Sequence, residues 1–258
     1  MKITILGAGA FGKAIDKILT DNHHETSFYD PLVFPEQSLE AAAHDSVAVV
    51  IAIPSHILPD FLLDYPARLK KLPTILTSKG LFDLDLFQDF PQFSVLSGPA
   101  FAEEILANKA TTMTASSAFA MGIFQNQQIS IELCHDALGI LLCGALKNIY
   151  AIGAGYYSES EDNFANFLQN AHLETKQYLA DHGAQADTAE LSCGLGDLIL
   201  TCTSQRSRNF LCGRLLREGR SLTEIQQELP TIEGLNALTR ADYEPYPLLR
   251  SIRDLVQA

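Results

Sequence analysis

Along the first half of the chain, short apolar runs alternate with segments of helical period; along the second half the short runs stop and helical period takes over. Residues 2–6 (K-I-T-I-L) read as a strand, and the segment after it puts Phe11, Ile15, Ile18 and Leu19 on one helical face. Residues 25–29 form a second strand. Residues 46–53 (S-V-A-V-V-I-A-I) are apolar without a break, the pattern of a strand buried on both faces of a parallel sheet. Further strands are expected at 74–77, 93–96, 111–114 and 129–133. Residues 31–45 leave little room between the second and third strands. The helix and strand that usually complete the first half of a mononucleotide-binding sheet are therefore expected in abbreviated form.

From residue 136 onward the strand pattern is gone, so a parallel α/β domain is predicted over residues 1–133 and a helical domain over residues 134–258. Residues 137–157 (A-L-G-I-L-L-C-G-A-L-K-N-I-Y-A-I-G-A-G-Y-Y) are apolar almost throughout and long enough to span a bilayer. Stop-transfer charges do not flank them, glycines recur at 139, 144, 153 and 155, and a bare ammonium at mid-depth would be costly. The run is predicted instead as the central helix of a helical core, apolar on every side because other helices surround it. Lys147 is its anomaly. Desolvation lowers a lysine's pKa, so Lys147 is either a side chain whose stem packs while its head reaches water, or an acid/base group in a cleft. Another long helix is expected over 162–182, ended by Gly183, and an amphipathic one over 247–256 closes the chain.

Composition narrows the class. The chain has 258 residues, 47% hydrophobic and 19% charged, with a formal charge of -13. That excess of acid argues against non-specific nucleic-acid binding and makes each anion-binding basic residue conspicuous. Five cysteines, at 134, 143, 193, 202 and 212, have neither C-x-x-C nor Cys/His spacing, so no disulfide framework, zinc site or other metal is expected. The N-terminus enters a strand at once without a signal-peptide pattern, and a cytoplasmic location is expected.

Candidate chemistry lies at strand ends. G-A-G-A-F-G at 7–12 follows the first strand and opens a helix, the context in which G-x-G-x-x-G has physical meaning. Gly7 permits the tight turn, Gly9 the approach of a pyrophosphate and Gly12 close helix packing. Asp30, at the end of the second strand, is placed to accept from adenosine ribose hydroxyls and to repel a 2'-phosphate; alternatively Asp30-Pro31 is a simple turn. Pro54 and Lys79 follow the third and fourth strands, where a ligand crevice lies. The segment 194–209 (G-L-G-D-L-I-L-T-C-T-S-Q-R-S-R-N) gathers an acid, hydroxyls, two arginines and an amide. Arg208 and Asn209 just after Ser207 make a ready phosphate site at a helix start, or Ser207 merely caps that helix ahead of solvated polar residues. Glu233 reads most simply as a helix-start acid.

Taken jointly, G-A-G-A-F-G, P-S-H at 54–56, S-K-G at 78–80, G-P-A-F-A-E-E at 98–104, G-A-L-K-N at 144–148 and the 194–209 segment resemble, in this order, the bacterial NAD(P)-dependent glycerol-3-phosphate dehydrogenases. The resemblance covers nearly the whole chain. It implies an α/β Rossmann-type N-terminal domain plus an all-α C-terminal domain, and an oxidoreductase that interconverts dihydroxyacetone phosphate and sn-glycerol 3-phosphate to supply phospholipid synthesis. Lys147 would be the catalytic base, with Asp197 orienting it. Substrate contacts would fall on Lys79, Gly98, Ala100, Ser207, Arg208 and Asn209, besides Lys147 and Asp197 themselves. Dinucleotide contacts would fall on Ala10, Phe11 and Gly12 of the turn and on Ala102, Arg208 and Glu233, with Thr231 beside them, in addition to Gly7, Gly9, Asp30, Pro54 and Lys79 from the strand-end reading above. NAD is the expected cofactor because Asp30-Pro31 stands where relatives often carry a basic residue; NADP is the other candidate. Ala100 stands where relatives often have serine, so one substrate hydrogen bond is expected from backbone. The expected partners are a small phosphorylated substrate and a second copy of the chain in a homodimer, without nucleic acid or membrane insertion. Two rival readings are a keto-acid reductase on the same two-domain plan and a non-catalytic dinucleotide-binding sensor.

Overall fold

The structure is a computed structural model that describes residues 1–158, 161–229 and 231–257. It divides into two compact units, one comprising Met1–Ser78 with Phe82–Ala137 and the other Lys79–Leu81 with Leu138–Ala258. The boundary thus falls a few residues later than 133, and three residues after the fourth strand group with the helical unit.

The first unit is built on strands β1 (Lys2–Leu6), β2 (Glu25–Tyr29), β3 (Ala48–Ile51), β4 (Thr74–Leu76), β5 (Phe93–Ser97), β6 (Thr111–Ala115) and β7 (Ile129–Leu133). They form one sheet in the order β2-β1-β3-β4-β5-β6-β7. The first five run parallel, β6 is antiparallel to β5, and β7 is parallel to β6. Every residue of β3 is buried, as an unbroken apolar run in a central parallel strand requires. Between β2 and β3, among the described residues, there is no strand and only the four-residue helix α2 (Leu39–Ala42), which follows α1 (Ala10–Asp21). β2 is therefore the edge of the sheet and only half-buried. The helices α3 (Leu58–Leu63), α4 (Ala67–Lys70), α5 (Ala102–Leu106) and α6 (Ala118–Phe124) complete the unit. Ile15, Ile18 and Leu19 of α1 join Ile3, Ile5, Val50, Ile75, Leu96 and Met113 in one core.

The second unit is organised by α7 (Ala137–Tyr157), with α8 (Glu161–Asp181), α9 (Asp197–Thr203), α10 (Arg208–Arg217), α11 (Leu222–Glu228), α12 (Glu233–Leu238) and α13 (Pro247–Gln257). Among the described residues α7 is the one helix long and apolar enough to cross a membrane, and 89% of its apolar window is buried inside the protein. Its glycines explain how neighbours come so close. A Cβ on Gly155 would overlap the carbonyl oxygen of Phe210 on α10, and one on Gly213 of α10 would overlap that of Ile152 on α7. Glu174 of α8 is a further buried tie: its carboxylate accepts from Tyr150 Oη of α7 (3.1 Å) and from the backbone N–H groups of Leu248 (2.9 Å) and Leu249 (2.8 Å) at the start of α13. Burial and the neighbouring Glu174 push the Tyr150 phenol well above its ordinary pKa, so it stays a donor.

Because α7 and α10 touch backbone to backbone at this pair of glycines, even one added methyl is overpacked. Gly155→Ala is expected to destabilise the protein by about 1–3 kcal/mol. The check is the denaturation midpoint in urea against the unchanged protein; an unshifted midpoint would mean the two helices do not meet there.

Candidate active site

The first unit holds a cradle for a dinucleotide at the carboxyl ends of β1 and β3, where strand order reverses about β1. Gly7 has φ +103°, and a Cβ there would lie 2.7 Å from the Ala52 carbonyl oxygen just beyond β3. A Cβ on Gly12 would overlap the Gly7 carbonyl oxygen. Both glycines are thus demanded by the protein's own packing. Gly9 is different: a Cβ there would meet no atom within 4 Å. It is the N-cap of α1 and no side chain caps that helix. Its bareness keeps the approach to the first-turn N–H groups, on Ala10, Phe11 and Gly12, clear for a bound pyrophosphate. On this ground the turn fits a dinucleotide.

Asp30 closes the same turn. One carboxylate oxygen accepts from Ala8 N at 2.8 Å and the other from Leu32 N at 3.0 Å. The turn reading and the ribose reading of Asp30 are therefore compatible, since each oxygen retains a second lone pair for a hydroxyl. Pro54 follows β3, and the preceding carbonyl of Ile53 is held by Ser78 Oγ at 2.5 Å. Gly98 follows β5 and lies against β6, where a Cβ would be 2.7 Å from Met113 Cα. The Ala100 N–H donates to the Gly98 carbonyl at 2.9 Å, forming a tight three-residue turn through Pro99. The Ala100 N–H thus has an acceptor within the protein. Ala102 opens α5.

In the second unit, Lys147 Nζ donates to Asp197 Oδ1 at 2.9 Å and to Thr201 Oγ1 at 2.8 Å. Lys79 Nζ donates to the other oxygen, Oδ2, at 2.6 Å. The polypeptide reaches this arrangement by a π-helical turn at Ser192–Gly196, which runs directly into α9. A Cβ on Gly194 would overlap the Ala189 carbonyl oxygen, so only glycine lets the turn pass. Asp197 then sits in the first turn of α9, where the helix dipole favours a carboxylate, and Thr201 lies one turn on along the same face. Asp197 is 1% exposed and Lys147 8%. Burial pulls the Lys147 ammonium down to about 8, Asp197 opposing that shift and Lys79 adding to it. Burial pushes the Asp197 carboxyl up, but the two lysines outweigh it and hold the group below the usual carboxylate range. The result is an amine that can hold or release a proton near neutral pH beside a carboxylate that stays ionised.

At the start of α10, Ser207 is the N-cap and its Oγ accepts from Phe210 N at 3.3 Å. Arg208 is exposed at the first helical position. Asn209 is buried with both polar atoms engaged: Nδ2 donates to Asn148 Oδ1 at 2.9 Å, and Oδ1 accepts from Gly234 N at 2.9 Å. A free clamp was expected of Asn209; one amide hydrogen is what remains. Lys79, expected near the cofactor, is tied to Asp197. Glu233 opens α12 and is partly buried, and Thr231 before it has φ +63°. Sequence reasoning passed over Thr201, although its position four residues after Asp197 in a helix puts the two on one face. It also passed over Glu174, for which the sequence carries no signal, because the helix start it caps lies more than 70 residues away.

A glycine-cradled helix start at a sheet's switch point, together with a helical unit that carries a buried lysine able to titrate near neutrality, defines a dinucleotide-linked dehydrogenase. The family pattern described as the NAD-dependent glycerol-3-phosphate dehydrogenase C-terminus matches residues 136–244, and that of the N-terminus matches residues 29–121. The chain belongs to the NAD-dependent glycerol-3-phosphate dehydrogenase family. It is 30% identical to the glycerol-3-phosphate dehydrogenase [NAD(P)+] of Bacillus pumilus, over 94% of this chain and 84% of that one, and 28% identical to the enzyme of that name from Shouchella clausii, over 94% and 86%. In fold it is similar to the crystal structure of glycerol-3-phosphate dehydrogenase from Coxiella burnetii, with a TM-score of 0.87 at 24% identity, over 99% of this chain and 94% of that one. The alignment to the Shouchella relative runs over 292 positions against the 258 residues of this chain, so at least 34 of them are positions this chain lacks.

Removing one partner of a buried ion pair leaves the other uncompensated. Asp197→Ala is expected to destabilise the protein by about 3–5 kcal/mol, whereas Lys147→Met and Lys79→Met combined with Asp197→Leu recover much of that loss. Urea unfolding of the two variants decides it; equal stability of both would show that the pair is not buried as described.

Proposed function

We propose that this chain interconverts dihydroxyacetone phosphate and sn-glycerol 3-phosphate with NAD(P)H, using Lys147 as general acid and base. The observation that carries the proposal is the Lys147 ammonium, buried and fixed by Asp197 and Thr201, with a pKa near 8. When bound, the dinucleotide supplies or accepts the hydride. In reduction Lys147 gives its proton to the oxygen developing negative charge on C2; in oxidation the neutral amine removes the C2 hydroxyl proton. Two of its three ammonium hydrogens go to Asp197 and Thr201, which aims the third. Lys79 keeps the Asp197 charge balanced when Lys147 is neutral and adds positive potential near the reacting oxygen.

Arg208, exposed at the start of α10, binds the phosphate together with the helix N-terminus and the remaining Asn209 amide hydrogen. Glu233 and the turn at Gly7, Gly9 and Gly12 serve the dinucleotide, and Asp30, already oriented by Ala8 and Leu32, favours NAD over NADP. A reductase of branched 2-keto acids would have no need of the phosphate group at Arg208. A dinucleotide-binding sensor would have none of a lysine tuned to titrate. The reading places the reaction in the cytoplasm, where sn-glycerol 3-phosphate enters phospholipid synthesis.

Three outcomes are expected. Lys147→Ala loses on the order of 100- to 10,000-fold in kcat for NADH oxidation with dihydroxyacetone phosphate, and near-normal turnover would sink the assignment. Oxidation of glycerol 3-phosphate rises with pH and levels off above about 8, because the neutral amine is the working form, while the reductive rate falls over the same interval. A profile flat between pH 6.5 and 9.5 in both directions contradicts the role of Lys147. Last, kcat/KM with NADH exceeds that with NADPH, and Asp30→Ala narrows the ratio; a native preference for NADPH would refute the role given to Asp30.

A further inference from the structure

Asn148 follows Lys147 on α7, so its side chain leaves the helix about a third of a turn away from the amine, toward α10 and α12. It is 5% exposed, and an amide so buried must find partners. Its Nδ2 donates to the Gly144 carbonyl at 3.2 Å, one turn back in α7, and its Oδ1 accepts from Asn209 Nδ2 at 2.9 Å. The Asn209 oxygen in turn accepts from Gly234 N at 2.9 Å. Gly234 is the second residue of α12, a helix with no side-chain cap of its own, and its N–H is one of the orphan donors of a helix start. A second, independent feature marks the same contact. A Cβ on Gly234 would overlap the Asn148 carbonyl oxygen, so α12 lies against the backbone of α7 one residue past Lys147.

Two amides thus join three pieces of chain: the helix that carries Lys147, the helix start that presents Arg208, and the turn that presents Glu233. We propose that Asn148 is a positioning residue that, through Asn209, couples phosphate binding at Arg208 to dinucleotide binding at Glu233. This rests on the roles given above to Lys147, Arg208 and Glu233. The coupling is physical because the linkage is a continuous chain of hydrogen bonds from Asn148 through Asn209 to Gly234. Ordering α10 against a phosphate fixes Asn209, and Asn209 fixes the first turn of α12 that the dinucleotide meets. A ligand that orders one end reduces what the other must order.

Asn148→Ser isolates the linkage. A helical serine can back-bond to the carbonyl four residues earlier, which here is Gly144, but is too short to reach Asn209. The native enzyme should bind NADH about 5- to 20-fold more tightly in the presence of saturating glycerol 3-phosphate than without it, and bind glycerol 3-phosphate more tightly by the same factor with NADH present, as reciprocity requires. Asn148→Ser should bring both factors to within about twofold of one and raise the KM for each substrate, with kcat falling less than tenfold and the pH arm near 8 unmoved. Fluorescence titration of NADH, steady-state kinetics and a circular dichroism spectrum measure these, with Asn148→Ala and Lys147→Met run in parallel. A coupling factor in Asn148→Ser equal to the native one, or a native factor near one, overturns the proposal. So does a loss confined to kcat or a displaced pH arm, which would make Asn148 part of the acid/base group. If Asn148→Ser does not fold, Gly234→Ala takes its place, since it lifts the same turn of α12 off α7 and should lower the coupling likewise; native coupling in Gly234→Ala is the overturning result. Turnover surviving in Lys147→Met would instead bring down the underlying reading, and is told apart because it leaves the Asn148 result unaffected.

Discussion

One carboxylate serves two ammonium groups in the interior of the helical unit, and the rest of the site depends on that inequality. Asp197 gives one oxygen to Lys147 and the other to Lys79. A buried carboxylate facing one buried ammonium would simply be an ion pair, whose attraction raises the lysine's pKa and locks its proton in place. With two ammoniums present, only one is balanced. The excess charge is relieved where desolvation is worst: Lys147 has the smaller exposure, 9% of its side chain against 17% for Lys79. Burial is the largest cause of the drop in its pKa, with Lys79 adding to it and Asp197 opposing it. After the proton leaves, Asp197 and Lys79 remain a neutral pair and no uncompensated charge is left behind.

Holding such an arrangement requires walls of backbone, and the glycines of the helical unit provide them. Gly155 and Gly213 bring α7 and α10 into contact, Gly194 lets the chain turn past Ala189 into α9, and Gly234 seats α12 on α7. Each close approach removes a volume that water would otherwise fill. Low polarity around Lys147 is therefore a consequence of helix packing, and the tuning of the amine and the stability of the unit have the same origin. Glu174 performs the corresponding service three residues along α7 from Lys147, where it joins Tyr150 to the start of α13.

How much of this could be read from sequence differs by residue, for physical reasons. The parallel strands and the anomaly of Lys147 were legible because burial on all sides leaves an unbroken apolar record, in which one charge stands out. The glycine turn was legible because its three glycines answer three local demands, two of which the backbone of this chain shows directly. Thr201 could have been found from helical spacing alone. The destinations of Lys79 and Asn209 could not. Each carries polar atoms that would suit a ligand, and whether a protein atom takes them first depends on contacts made far along the chain, 118 residues away in the case of Lys79 and Asp197. Spacing records which face a residue occupies; it does not record which acceptor arrives there.

The shortened first half also shows which parts of the sheet are dispensable. In the doubly wound order, strands are added outward from the switch point, so the strand farthest from it touches neither the glycine turn nor the site. Here the sheet ends at β2. The cost falls on that edge: Leu32, Val33 and Phe34, soon after Asp30, are exposed, Leu32 by 93%. What survives is set by connectivity. Asp30 still reaches back across β1 to the Ala8 N–H, Gly7 still packs on the residue after β3, and the switch point lies between two strands that remain fully paired. The short outer edge belongs to the unit with the glycine turn, while Lys147, Asp197 and Lys79 all belong to the other unit.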